Sequence, residues 1–145
     1  KAQVVDKAVE LADVMPTLLE LAGVPVPAGV QGASLMPIVD GTSQPPYIAF
    51  SETTHRGRQR SVVLAGLQLV RSLDGEAPAQ LYDLEQDPLG AVDVAEAMAD
   101  KATVLEGHLG AWGKMVAAAS LDPELRTEEL DDSTLEQLKS LGYIQ

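Results

Sequence analysis

At 145 residues the chain has the length of one ordinary domain, enough to bury about two-thirds of the unfolded surface. Its 22 acidic residues stand against 10 basic ones, a net charge of −12, which argues against nucleic acid and anionic membrane surfaces, since both need clustered Lys and Arg. The absence of cysteine excludes disulfides and thiolate metal sites, and one Trp, one Phe and three Tyr give no stacking platform for bases or sugars. In chain order, Lys1 to Leu11 is a strand candidate, with Val4, Val5, Val9 and Leu11 as its apolar residues. Asp13 is placed to N-cap a helix, and Pro16 falls inside the first turn, where no intrahelical N–H is lost. Leu18, Leu19, Leu21 and Ala22 form an apolar face, Gly23 stops the helix and Pro25 prevents its continuation. Ser34-Leu35-Met36-Pro37 repeats the cap-to-proline spacing over a shorter helix that ends at Gly41.

Gly41 to Pro46 suits an extended linker. Beyond it four short runs, Tyr47–Thr53, Ser61–Leu64, Leu67–Ser72 and Ala79–Leu84, have no helical spacers between them. They predict a small antiparallel sheet, with Ala65-Gly66 as a tight hairpin turn and Asp74-Gly75 in a looser connection. Val94, Met98, Ala102, Leu105, Leu109, Trp112 and Val116 recur at steps of three and four, the spacing of one face of a long helix that covers the sheet. Gly107, Gly110 and Gly113 interrupt that helix, so a close approach of neighbouring backbone is expected on their side. Between Leu121 and Glu136 seven acidic residues accompany Arg126 alone, the pattern of a solvated segment. Ser133 and Glu136 form a capping-box pattern, Leu135 and Leu138 face inward, and Gly142 ends the helix so that Tyr143 can contact Leu138. This tail reads as a docked amphipathic helix, with a partner-binding helix as the alternative.

Several of these stretches resemble a known family. The run Val9 to Pro25, the following Gly32-x-Ser34-Leu35-x-Pro37 and the Gly41 turn are similar to the segment that follows the metal site in sulfatases of the alkaline-phosphatase superfamily. Phe50-Ser51-Glu52, Arg60-Ser-Val-Val with the Gly66 turn, and Leu81-Tyr-Asp-Leu-Glu-x-Asp-Pro88 resemble the carboxy-terminal part of those enzymes, in the same order. Leu135-Glu-x-Leu138-x-x-Leu-Gly-Tyr143 is similar to a tail on many bacterial members.

The resemblance implies an α+β fold: a small antiparallel sheet of about four strands packed by a long C-terminal helix, preceded by a strand and helices from the end of a larger α/β domain. It divides the chain into that end (residues 1–45), the small subdomain (46–120) and an acidic linker with a terminal capped helix (121–145). The chain opens at Lys1 without methionine, signal region or membrane span, and is expected to be a piece of a longer protein. For the complete protein the resemblance implies hydrolysis of sulfate esters by a formylglycine residue with calcium. Neither group is expected in this chain. Ser43-Gln44-Pro45 is followed by Pro46 and Tyr47 and therefore fails the Cys/Ser-x-Pro-x-Arg pattern of the formylglycine site, so no catalytic or metal residue is assigned and the chain alone is expected to be inactive. Its expected partners are the upstream catalytic domain of the same polypeptide and, through it, a sulfate ester.

The remaining candidates are few. Asp83, Glu85 and Asp87 alternate as calcium ligands do, but Pro88 and Val94 stand where an EF-hand loop needs Gly and Glu, so a strand end and turn is the plainer reading. Gly107-x-x-Gly110-x-x-Gly113 lacks the opening of a nucleotide fingerprint and follows no strand. Ser34 lies outside a nucleophile elbow, and a cap role suffices for it. His108 reads as a surface residue. Against the acidic background, His55, Arg56, Arg58 and Arg60 hold three of the chain's 10 basic residues within five positions. Guanidinium groups bind sulfate through paired N–H donors, and this loop is the candidate substrate-binding element. A phosphonate or phosphate monoester hydrolase of the same superfamily and a free-standing, non-catalytic interaction module are the alternative functions.

Overall fold

In the computed structural model, which describes residues 4, 7–43, 47–55, 57–118 and 132–140, four strands form one antiparallel sheet in sequence order: β1 (Ile48–Thr53), β2 (Gln59–Leu64), β3 (Leu67–Ser72) and β4 (Gln80–Asp83). The four runs named from the sequence are these strands, and Ala65-Gly66 is the turn between β2 and β3. Both residues have positive φ, 50° and 76°, as a two-residue hairpin turn matched to strand twist requires. Successive registers place Phe50, Val62, Leu69 and Leu81 in one row across the sheet. The last three are fully buried. Helix α3 (Ala99–Ala118) lays Leu105 and Leu109 on that row; each side chain so buried contributes about 1.5–3 kcal/mol relative to exposure.

The periodic face named from the sequence begins earlier than α3 does. Val94 and Met98 pack against the core, but the Val94 N–H is directed to the Leu81 carbonyl at 2.8 Å, and the Leu81 N–H to Asp93 Oδ1 at 3.0 Å. The outward backbone of β4 thereby captures residues 93–94, and the helix starts after the turn at 95–98. The expectation for the helix glycines needs a larger correction. A Cβ at Gly107 or Gly110 would meet nothing within 4 Å, while at Gly113 it would stand 2.6 Å from Arg60 Nη1. No backbone approaches them closely among the described residues.

Before the sheet, Leu11–Asp13 form a single 3-10 turn that leads into α1 (Val14–Leu21), and α2 spans Met36–Val39. The strand expected over Lys1–Leu11 is not formed in the described residues 4 and 7–11. Residues 8–10 have no ladder partner, and Leu11 enters the 3-10 turn instead. Asp13 also departs from its expected role. It sits at the N-cap of α1 without a side-chain cap; its Oδ2 accepts the Glu10 N–H and its Oδ1 the Ala33 N–H, both at 2.9 Å. Thr17 Oγ1 accepts the Leu35 N–H at 2.9 Å and completes the tie between the two helical segments. Ser34 Oγ accepts the Met36 N–H at 3.2 Å from one residue before the N-cap, which is Leu35 and has no side-chain cap, so the cap expected at Ser34 is displaced to a local turn bond. Gly23 and Gly41 close α1 and α2 with left-handed φ of 68° and 70°, and the bonds Val24 N–H to Leu19 and Thr42 N–H to Pro37 make both ends Schellman motifs.

The predicted apolar face of α1 is present but uncovered, with Leu18 and Leu21 60% and 63% exposed and only Pro16 buried. Segment 7–41 reaches the sheet through Glu10, whose Oε1 accepts the Phe50 N–H on the outer side of β1 at 2.6 Å. The chain divides into two compact units, Lys1–Gly113 and Lys114–Gln145. In the second, α4 (Asp132–Ser140) carries Lys139 in its last turn. The side chains of Leu135 and Leu138, with Gly142 and Tyr143, lie outside the described residues.

Candidate functional site

The basic cluster is split by the fold. Thr53 pairs with Gln59 at the end of the β1–β2 ladder, so residues 54–58 are the hairpin loop and Arg60 belongs to the strand. His55 and Arg58 are exposed, and Arg56 lies outside the described residues. The His55 N–H donates to Thr53 Oγ1 at 3.1 Å. The backbone of Arg58 is held at both polar groups: its N–H donates to Asp74 Oδ2 at 2.6 Å, and its carbonyl accepts the Leu73 N–H at 2.8 Å. Gly57 has φ +104°, and a Cβ there would come within 3.3 Å of the same Asp74 oxygen. The β1–β2 loop therefore rests on the β3–β4 connection.

Arg60 is placed differently. Its Nε donates to Glu52 Oε2 at 2.7 Å, and its guanidinium lies 5.5 Å from the centre of the Trp112 ring. That ring stacks on Phe50 with centroids 5.2 Å apart and planes 3° from parallel. Arg60 thus closes the end of the core with its aliphatic stem and its charge. Arg71, its neighbour across the β2–β3 ladder, pairs with Glu106 of α3. Among the described residues these are the two ion pairs, so the Arg58 guanidinium, outside both, is available to a ligand while that of Arg60 already has partners. Cross-strand proximity of Glu52 and Arg60 was readable once the hairpin was placed; the Trp112 contact depends on tertiary packing that sequence spacing does not carry.

The acidic run Asp83–Asp87 is a turn. Asp83 Oδ1 accepts the Glu85 and Gln86 N–H groups at 3.1 and 3.2 Å, and Asp87 Oδ2 accepts those of Ala91 and Val92 at 2.6 and 2.9 Å. The Val92 N–H is the main cause of a lowered pKa at Asp87. With these carboxylates directed to backbone, and no group of three or more His, Cys, Asp or Glu able to hold a metal among the described residues, the described side chains of this turn do not fit a calcium site. Nor do they fit a formylglycine site, for the motif reason given above. His108 is exposed on α3. An apolar cleft of about 320 Å³ between the Ala65 turn and Val104 is lined at its polar side by Asp100 and Lys101 alone, which gives it no converging set of polar groups. No helix among the described residues is long and apolar enough to cross a membrane.

Residues 1–109, three-quarters of the chain, match the family described as N-sulphoglucosamine sulphohydrolase, C-terminal. The chain belongs to this family. The sulphohydrolase C-terminal assignment agrees with a curated relative, arylsulfatase K of Xenopus laevis, which is 31% identical over 120 residues, 74% of this chain and 22% of the relative. The domain thus spans about a fifth of that relative's length. Among solved structures the fold is similar to that of BT4656, determined in complex with its substrate D-glucosamine-2-N,6-O-disulfate, with a TM-score of 0.60 and 24% identity over 70% of this chain and 23% of that one. It is also similar to the phosphonate monoester hydrolase of Agrobacterium radiobacter, with a TM-score of 0.53 and 25% identity over 89% of this chain and 29% of that one. The four-stranded sheet under a long helix is the sulfatase-type C-terminal architecture.

Proposed function

We propose that this domain is the carboxy-terminal part of a sulfatase-like hydrolase that cleaves sulfate esters. The observation that carries the reading is the match of residues 1–109 to the sulphohydrolase C-terminal family. The complete enzyme supplies the formylglycine nucleophile and the calcium ion, and this chain alone is silent. Its upstream catalytic domain is the partner of the uncovered α1 face: Val14, Met15, Leu18 and Leu21 are all exposed, and burying a leucine from water is worth about 1.5–3 kcal/mol.

Within that enzyme the 54–58 loop holds the anionic group of the substrate, with the Arg58 guanidinium as the donor free of other ion pairs and Arg56 and His55 beside it in sequence. Arg60 supports the loop from the strand below. The test is steady-state kinetics of the complete enzyme on an aryl sulfate. Arg58→Ala is expected to raise KM with little change in kcat; an unchanged KM refutes the substrate role. The likeness to the Agrobacterium radiobacter enzyme favours one second reading, hydrolysis of phosphonate monoesters. A higher kcat/KM on an aryl phosphonate monoester than on the matching sulfate selects it.

A further inference from the structure

We propose that Asp74 is a positioning residue for the anion-binding loop, an inference that rests on the substrate role assigned to Arg58 above. Two loops at one end of the sheet meet here. The β2–β3 ladder ends at the Gln59–Ser72 pair, and the Leu73 N–H to Arg58 carbonyl bond of 2.8 Å continues it by one step. Asp74 then adds a side-chain rung. Its Oδ2 takes the Arg58 N–H at 2.6 Å, a charge-assisted bond that its exposure to solvent brings down to the worth of an ordinary one. The aspartate is itself oriented by Ser72, whose Oγ accepts the Asp74 N–H at 3.2 Å. The absence of a side chain at Gly57 keeps that oxygen accessible, because a Cβ would press on it at 3.3 Å.

The consequence is specific to Arg58. Arginine loses about 2 kcal/mol of rotamer freedom when its side chain is fixed, and a backbone that also moved would add to the cost of binding. With both backbone polar groups of Arg58 bonded, only the side chain has to be ordered by the ligand. Asp74 touches no substrate in this scheme; it acts through the arginine.

The experiment uses the complete enzyme with an aryl sulfate as substrate and inorganic sulfate as a competing anion. Asp74→Ala is expected to raise KM and the inhibition constant of sulfate together, by roughly three- to tenfold, the range one hydrogen bond commands, with kcat unchanged. Asp74→Asn keeps an oxygen acceptor and is expected to restore most of the loss. Amide hydrogen exchange at Arg58 should quicken in Asp74→Ala and return in Asp74→Asn. Arg58→Ala separates the two claims. If it raises KM while Asp74→Ala does not, the arginine binds the anion and the positioning role is wrong. If Arg58→Ala leaves KM unchanged, the substrate role fails, and the positioning role in binding fails with it. A fall in kcat shared by Asp74→Ala and Asp74→Asn overturns the proposal in favour of general damage to the fold.

Discussion

The same substitution, glycine to alanine, should stabilise at two positions of one helix and fail to do so at a third. In a helix interior the change is worth about 0.8–1 kcal/mol in favour of alanine. Gly107 and Gly110 have nothing within 4 Å of an added Cβ and no left-handed φ, so each should realise that gain in full, and the double variant about 1.6–2 kcal/mol. For a domain of this size that raises Tm by about 3–8 °C. Gly113 is the exception, because the new methyl would stand 2.6 Å from Arg60 Nη1. The guanidinium must move, which forfeits a cation–π contact of about 0.5–1 kcal/mol and loosens the Glu52 pair, worth at most about 1 kcal/mol. The net effect at Gly113 is therefore close to zero or destabilising by up to about 1 kcal/mol. Urea titration followed by far-ultraviolet circular dichroism and by fluorescence of Trp112, the single tryptophan, measures all three, with an unchanged m-value as the control. A lowered midpoint for Gly107→Ala or Gly110→Ala refutes the open-face reasoning. A gain at Gly113→Ala equal to the other two removes Arg60 from its place over that residue.

Two further outcomes are expected. Gly32→Ala places a methyl 2.5 Å from the Ala12 carbonyl oxygen at a φ of +89°, so the left-handed cost of about 1–2 kcal/mol is joined by loss of the Ala33–Asp13 bond of about 1–2 kcal/mol. Amide exchange at Ala33 and Leu35 should quicken by about 30-fold or more, and unchanged exchange refutes the tie. At Asp87 the N–H groups of Val92 and Ala91 stabilise the carboxylate and lower its pKa from 3.8. A depressed folded-state pKa means that the turn's stabilisation is present above the ordinary value and is lost as pH falls through the folded one. The Val92 amide resonance should titrate with a midpoint below 3.8 and stop doing so in Asp87→Asn; a midpoint above it contradicts the assignment.

What could be read from the sequence is what local rules decide. Strands β1 to β4 follow from short apolar runs between turn residues, Ala65-Gly66 from the need for two positive φ values, and the covering face of α3 from steps of three and four. The α1 and α2 ends follow from Gly23 and Gly41. Bonds that join distant segments were not readable. Asp13 has two carboxylate oxygens and several orphan N–H groups within reach, and only the tertiary path directs them to Glu10 and Ala33. Whether a helix glycine is crowded or open depends on the opposing surface, so spacing misjudged Gly107 and Gly110. The strand expected over Lys1–Leu11 is absent from the described residues 4 and 7–11 for a related reason: an apolar run becomes a strand only beside a free ladder, and the outer side of β1 meets the Glu10 side chain. In the basic cluster, residue types gave the chemistry but not its division. Hairpin register sends Arg58 to the loop and Arg60 to the core, and Asp74 shows in the sequence only as part of an Asp-Gly turn.

The two margins of the sheet share one property. At the centre of β1 the outward amide of Phe50 is taken by the Glu10 carboxylate, and at β4 the outward N–H and carbonyl of Leu81 are taken by Asp93 and Val94. Each of these bonds removes a backbone group from the row that another chain would pair with, one of the ways natural sheets discourage joining edge to edge. The bare side of α1, not the sheet margin, is the apolar surface that this segment leaves uncovered. The Glu10 carboxylate is half of that safeguard.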